Sequence, residues 1–216
     1  MLLFRDIRLL KILNIVFWFL LLNVSFAQRD LEIVELKTPD IIKSTVSVVI
    51  WDSEQKWNYQ NGFLFKEDSK YYYFLTINTD SYSDHARIQL NYPEKSEWLV
   101  SDGLINYKFL SVIKISKSRV PLDINPINIS DKIISKNSDV CIFGCAKKIK
   151  PSAFWLNIKN STSKNDFLID ANLSEGRKGC IVCSPDLKEV YGILYDLKGK
   201  GISSLYINNF IRKHYD

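Results

Sequence analysis

Between residues 44 and 205 no stretch places apolar residues at a helical period, which argues against a bundle of helices. No internal repeat occurs, so the chain is not an array of stacked units. No run of Lys and Arg with interleaved aromatics appears, and nothing points to a nucleic-acid partner. No apolar run reaches the roughly 20 residues that a bilayer crossing needs. Histidine is scarce: only His85 and His214 are present, and neither lies near the four cysteines in sequence. The CxxC-like spacings Cys141/Cys145 and Cys180/Cys183 are therefore a weak zinc signal. A site of four thiolates is the alternative to pairing, and no metal or other cofactor is expected.

What is present begins with an export signal. Arg5, Arg8 and Lys11 give a basic start, Ile12 to Leu22 is almost wholly apolar, and Ser25-Phe26-Ala27 supplies the small residues a signal peptidase needs. Cleavage is expected after Ala27, with an uncleaved anchor as the alternative. Loss of the leader removes three basic residues and Asp6, which takes the net charge from +5 to +3. So mild a charge supports solubility and selects no class of partner. Residues 28–216 suffice for one ordinary domain or two small barrels. The expected location is extracellular, or periplasmic in a bacterial host, with no stable membrane insertion after cleavage. Asn128, Asn160 and Asn172 head glycosylation sequons that matter only in a eukaryote.

The remaining pattern is β. Residues 28–43 read as an entry segment. Six short strands are predicted at Ser44–Trp51, Gly62–Phe65, Tyr71–Ile77, Ala86–Tyr92, Glu97–Val100 and Phe109–Ile115, with Asp52–Asn61 as a turn. They make a first unit over residues 44–118. A connector rich in Asp, Asn and Pro, 119–137, leads to a second unit over 138–216. Its strands are predicted at Asp139–Phe143, Ala153–Ile158, Asp166–Asp170, Cys180–Cys183, Val190–Tyr195 and Ile202–Leu205. Ile207, Phe210 and Ile211 fall at helical spacing, so Tyr206–His214 reads as a short closing helix. The class is all-β and bilobal.

Four cysteines in an exported chain allow three pairings. Facing residues of antiparallel strands keep a constant index sum. Cys141 with Cys183 and Cys145 with Cys180 have nearly equal sums, so one strand pairing brings both couples together. Cys141–Cys183 is the first expectation and Cys145–Cys180 the second. The crossed arrangement would need a splayed ladder.

The chain is organised around Asp170–Asp196, a glycine-flanked turn (Gly176-Arg177-Lys178-Gly179) followed by two short apolar strands. This stretch resembles the Gly-x-Ser-Gly-Gly-Pro turn and Val-x-Gly-Ile hairpin of trypsin/chymotrypsin-fold serine proteases. Gly176, Gly179 and Gly192-Ile193 carry the match. Gly62-Phe63-Leu64 looks like the family's Gly-Ser-Gly-Phe-Leu strand, and Phe74-Leu75-Thr76 like the strand entering Leu-Thr-x-Ala-His. Phe109–Ile115 resembles Asp-Leu-Ala-Val-Leu-Lys-Ile, and Asp139–Gly144 the strand into the pocket floor. The likeness runs from residue 44 to 214 and is greatest to the compact exported or heat-shock type. It implies two six-stranded antiparallel β-barrels with a short C-terminal helix. The family also bridges the strands of Cys141 and Cys183, displaced by one residue.

The resemblance places the catalytic histidine, aspartate and serine at Thr79, Phe109 and Lys178. Threonine has no basic nitrogen, phenylalanine cannot accept the imidazole N–H, and a protonated lysine is no nucleophile. The expectation is a non-enzymatic, degenerate homologue that binds a protein, such as a protease or a protease substrate. The alternatives are a divergent peptidase using Lys178, Cys180 or His85, and a purely structural or metal-clamped β domain. Cys180 lies two residues past the serine position, where its side chain should enter the strand pairing, and His85 falls six residues late, at the surface. The Gly176–Gly179 turn, as a remnant oxyanion turn with Arg177 and Lys178, would be a cationic site for an acidic group. A solvated basic loop is the plainer reading. Asn172 lies near the base of the family's specificity pocket, which a glycan there would close.

Overall fold

A computed structural model describes residues 40–51, 57–78, 85–91, 96–145, 151–160, 164–169, 173–174 and 176–215. The expected leader, Thr79 and Asn172 lie outside them. After a short helix α1 (Asp40–Lys43), seven strands follow: β1 (Thr45–Trp51), β2 (Trp57–Glu67), β3 (Tyr71–Ile77), β4 (Ala86–Leu90), β5 (Leu99–Val100), β6 (Gly103–Asn106) and β7 (Leu110–Ser116). All their pairings are antiparallel, in the order β5-β4-β1-β2-β3-β7-β6. The two ends of this sheet are separated only by Ser101 and Asp102. The Ser101 N–H donates to Ala86 O and the Asp102 N–H to Lys114 O, each at 2.8 Å. Leu99–Asn106 is thus one bent strand that pairs with β4 and then with β7. The sheet closes through it as a six-stranded barrel.

The second barrel closes by its ladders. β8 (Asp139–Gly144), β9 (Ser152–Asn160), β10 (Asp166–Ile169), β11 (Ile181–Cys183), β12 (Val190–Leu194) and β13 (Lys200–Ser203) form the ring β10-β13-β12-β11-β8-β9. Ser203 caps α2 (Ser204–His214), its Oγ accepting the Tyr206 N–H. The helix lays Phe210 against Tyr107 of the first barrel, ring centroids 4.7 Å apart. The following Tyr215 meets Phe65 at 5.3 Å. The chain end therefore straps the two barrels together.

Strand alternation explains three apolar cores. Val46, Val48, Ile50, Phe74, Ile113 and Ile115 fill the first barrel, and Ile142, Ile158, Phe167, Val182 and Leu194 the second. The opposite faces of the same strands meet between the barrels: Phe63, Leu75, Ile77 and Val112 against Cys141, Phe143, Ile181 and Ile193. Each fully buried aliphatic or Phe side chain stabilises the fold by about 1.5–3 kcal/mol. The segment between the barrels is fastened to both, with the Ile127 N–H on Leu64 O and the Val190 N–H on Asn128 O, each at 2.9 Å.

Two strand expectations are corrected. β2 begins at Trp57, inside the expected turn, because Trp57–Asn61 pairs residue by residue with β1 up to Trp51. The last strand stops at Ser203, where the capped helix starts.

Candidate functional site

The turn Gly176–Gly179 sits against the first barrel and is held there by one side chain. Asn61, on β2 and buried, aims its amide into the loop. Its Nδ2 lies 3.0 Å from Gly176 O, 3.1 Å from Lys178 O and 3.1 Å from Cys145 O. Its Oδ1 accepts the Cys145 N–H at 2.6 Å, and its backbone N–H donates to Lys178 O at 2.8 Å. Thr76 Oγ1 donates to Asn61 O at 2.7 Å, fixing the Asn61 peptide from the β3 side. Two turn residues take φ values open mainly to glycine, Gly176 at 86° and Gly179 at 74°. A Cβ on Gly179 would stand 2.1 Å from Asn61 O, so the barrels touch here through bare backbone.

Asn61 was not legible as a site residue. Its one sequence signal is an amide beside the strand motif Gly62-Phe63-Leu64, and its partners lie more than eighty positions away.

The three positions expected for a catalytic triad fare differently. Thr79 lies outside the described residues. Its neighbour Asn78 donates its backbone N–H to Phe109 O at 3.0 Å, so Phe109 stands beside the end of β3. The Phe109 ring is 45% exposed and edges onto Tyr206 at 6.1 Å. No carboxylate can act from that position. Lys178 is half-buried, its carbonyl is turned to Asn61, and its Nζ has no partner among the described residues.

Arg177 is half-buried beside Lys178. Its guanidinium folds over the Phe154 ring, 4.5 Å from the centroid. Nη2 donates to Ser152 Oγ at 2.9 Å and Nε to Ser174 Oγ at 3.3 Å. The Phe154 ring is half-buried and packs against the core of the second barrel, and it covers the apolar stem of Arg177.

The cysteines are all buried free thiols, so the expected Cys141–Cys183 and Cys145–Cys180 bridges are not formed. The register is the expected one, with Cys183 directly opposite Cys141. The Cys183 thiol, however, is turned onto Cys141 O at 3.2 Å. A separate interaction between the two thiol groups pulls Cys141 below its ordinary range and pushes Cys183 up. Cys145 faces the other way, in a triangle with Ser47 Oγ at 3.1 Å and Asn91 Oδ1 at 3.3 Å. Cys180 lies inside the second barrel, where burial pushes its thiol to about 12. A thiol so protonated and enclosed is no nucleophile at neutral pH.

His85 is exposed at the start of β4. His214 is exposed on α2 against Tyr107 and Phe210, with centroids at 4.8 and 5.1 Å. Asn128 and Asn160 are exposed. Among the described residues no three His, Cys, Asp or Glu side chains gather as metal ligands.

No protein-family model and no curated protein sequence matches the chain. Solved structures do. The Rv3671c protease of M. tuberculosis in its active form is similar with a TM-score of 0.64 at 13% identity, over 80% of this chain and 81% of that one. A serine endoprotease from Yersinia pestis matches with 0.61 at 17%, over 83% and 67%. The scabies mite inactivated protease paralogue S-I1 matches with 0.63 at 12%, over 80% and 95%. At such identities the likeness establishes the fold, the two-barrel architecture of trypsin-like serine proteases.

Proposed function

We propose that this trypsin-fold chain is an exported, non-catalytic protein that acts by binding another protein, through the cleft bordered by the Gly176–Gly179 turn. The observation that carries the reading is Lys178. The resemblance puts Lys178 at the nucleophile's position and Phe109 at that of the carboxylate that orients the base. Peptide hydrolysis on this frame needs a nucleophile, a base in hydrogen-bond reach and a group to orient the base. Neither lysine nor phenylalanine supplies its part; Cys180 is buried in the second barrel and His85 is exposed at the start of β4, which supports the same reading. One of the similar structures is that of an inactivated protease paralogue, so the two-barrel frame outlives catalysis in that protein. Suitable partners are active proteases or their substrates, for which this surface would be a decoy or a regulator.

The test pairs an active-site-directed serine and cysteine probe with a peptide library, using purified chain. We expect no labelling and no cleavage. Turnover abolished by Lys178→Ala, Cys180→Ala or His85→Ala would overturn the reading in favour of a rewired peptidase. Pull-down from the native extracellular or periplasmic fluid should yield a protein whose capture falls on Lys178→Ala. Recovered chain should begin at Gln28.

A further inference from the structure

We infer that Arg177 is the anchor for a carboxylate presented by the partner protein, as a chain terminus or an acidic side chain. The inference rests on the reading of the Gly176–Gly179 turn as a binding element and names the chemistry it recognises. A guanidinium offers five N–H donors in a planar fork and cannot shed its charge. Here the fork is held by two neutral oxygens, Ser152 Oγ at 2.9 Å and Ser174 Oγ at 3.3 Å. Nη1 is buried and has no oxygen or nitrogen acceptor among the described residues, and the nearby Cys180 thiol is the one further side chain that the guanidinium acts on by hydrogen bond. No carboxylate pairs with Arg177 among the described residues.

The other tethered cations differ. Lys117 is held by Glu67 at 2.5 Å, Arg119 by Asp102 at 3.2 Å and Lys132 by Glu189 at 3.1 Å. Arg177 alone among these four has hydroxyls where they have an anion. A charged group taken partly out of water requires compensation, and the missing component is negative.

Geometry narrows the anion. The Phe154 ring covers one face of the guanidinium, so a ligand must meet its edge in plane. A flat carboxylate arriving from the exposed Ser174 side can take the place of Ser174 Oγ on the Nε–H and bond the Nε/Nη2 edge with two parallel N–H···O bonds. The Ser152 hydroxyl, accepting from Arg177, keeps its own proton to donate to the same anion. Ser174 is exposed and Ser152 half-buried, which leaves the approach on the Ser174 side. The site adjoins the turn, since Arg177 lies between Gly176 and Lys178, whose carbonyls Asn61 holds.

The experiment is a titration of the purified chain at pH 7, read by the Arg177 Nε–H NMR signal and by calorimetry. The probes are a short neutral peptide with a free C-terminus, its C-terminal amide, the amide bearing one internal Glu, and acetate. The free-acid or Glu-bearing peptide should bind at least tenfold more tightly than the plain amide and shift the Nε–H signal. Arg177→Gln should weaken carboxylate binding about 10- to 100-fold, the range for hydrogen bonds to charged groups. Arg177→Lys should weaken it nearly as much, because the fork is lost. Lys136→Ala, an exposed charge change outside the turn and the triad positions, should leave it intact. Equal binding of acid and amide, or unchanged binding in both Arg177 variants, would overturn the inference. Acetate binding as tightly as the peptides would overturn the partner and leave only a small-anion site. The peptide comparison needs no variant, so it stands even if Arg177→Gln misfolds. Cleaved peptide in the same samples would sink the inert reading and leave the carboxylate result standing.

Discussion

The two barrels reach closure by different means. In the first, β1 and β2 pair over seven consecutive residues from Thr45 to Trp51, and β3 and β7 pair over seven from Tyr71 to Ile77. One slip interrupts the ladders there, between Leu64 and Lys66 on β2 against β3. In the second, β11 has three residues, its pairing with β12 slips between Val182 and Cys183, and β10 slips against β9 after Leu168. All four cysteines and the Gly176–Gly179 turn belong to this less regular barrel. Where ladders run short, side chains must satisfy the backbone, and a side chain of the first barrel does so for the second. Asn61 serves the carbonyls of Gly176, Lys178 and Cys145 and the N–H of Cys145. The regular barrel is a platform, and the irregular one carries a loop shaped by that platform.

The sharpest way to break this asymmetry is at the contact itself. Gly179→Ala puts a Cβ 2.1 Å from Asn61 O at a φ of 74°. Strain and backbone collision together should cost about 3 kcal/mol or more, read as a lower urea midpoint. Gly103→Ala, on β6 with nothing within 4 Å of the new Cβ, should change stability by no more than about 0.5–1 kcal/mol and in the favourable direction. Next in size is Asn61→Ala. It strands a buried N–H and buried carbonyls, at a cost of about 2–4 kcal/mol. Hydrogen exchange should show lost protection from Cys145 and residues 176–180, with the β1–β3 amides unchanged. Equal loss in both barrels would show that the dependence is mutual.

These substitutions also separate what could be read in the sequence from what could not. The strand order, the two groups and the closing helix follow from alternation and β-branched runs, which are local. The register of Cys141 on Cys183 followed from index sums because a ladder fixes Cα partners. Thiol direction is a rotamer choice, and Cys183 turned to a backbone oxygen instead of a sulfur. Trp57–Asn61 looked like a turn because Asn58, Gln60 and Asn61 are polar, yet Gln60 and Asn61 are both buried. Asn61 is buried by partners up to 117 positions away, a distance at which local pattern carries no information. The stacking of Arg177 on Phe154, a residue of another strand, was likewise beyond local pattern.

The smallest effect concerns protons, and it too sets the barrels against each other. In the first barrel the Tyr73 hydroxyl donates to Asp68 at 2.7 Å across the β2–β3 turn. That bond holds the Asp68 carboxyl below its ordinary range and raises Tyr73 to about 12. In the second, Lys132 and then Ser130 hold Glu189 below its range, at the turn before β12. A depressed carboxyl contributes stability that is whole above its unfolded value, 3.8 for Asp and 4.5 for Glu, and fades as pH falls through the folded one. A raised phenol contributes stability that is whole below 10 and fades as pH climbs toward 12. The melting temperature should therefore be flat from about pH 5 to 9 and fall outside that window. Asp68→Asn should flatten both flanks, because its hydrogen bond acts at both ends. Glu189→Gln should flatten the acid flank and also soften the alkaline one above about 10.5, because Glu189 holds the Lys132 ammonium above its ordinary range; an unchanged acid flank in that variant would break the assignment.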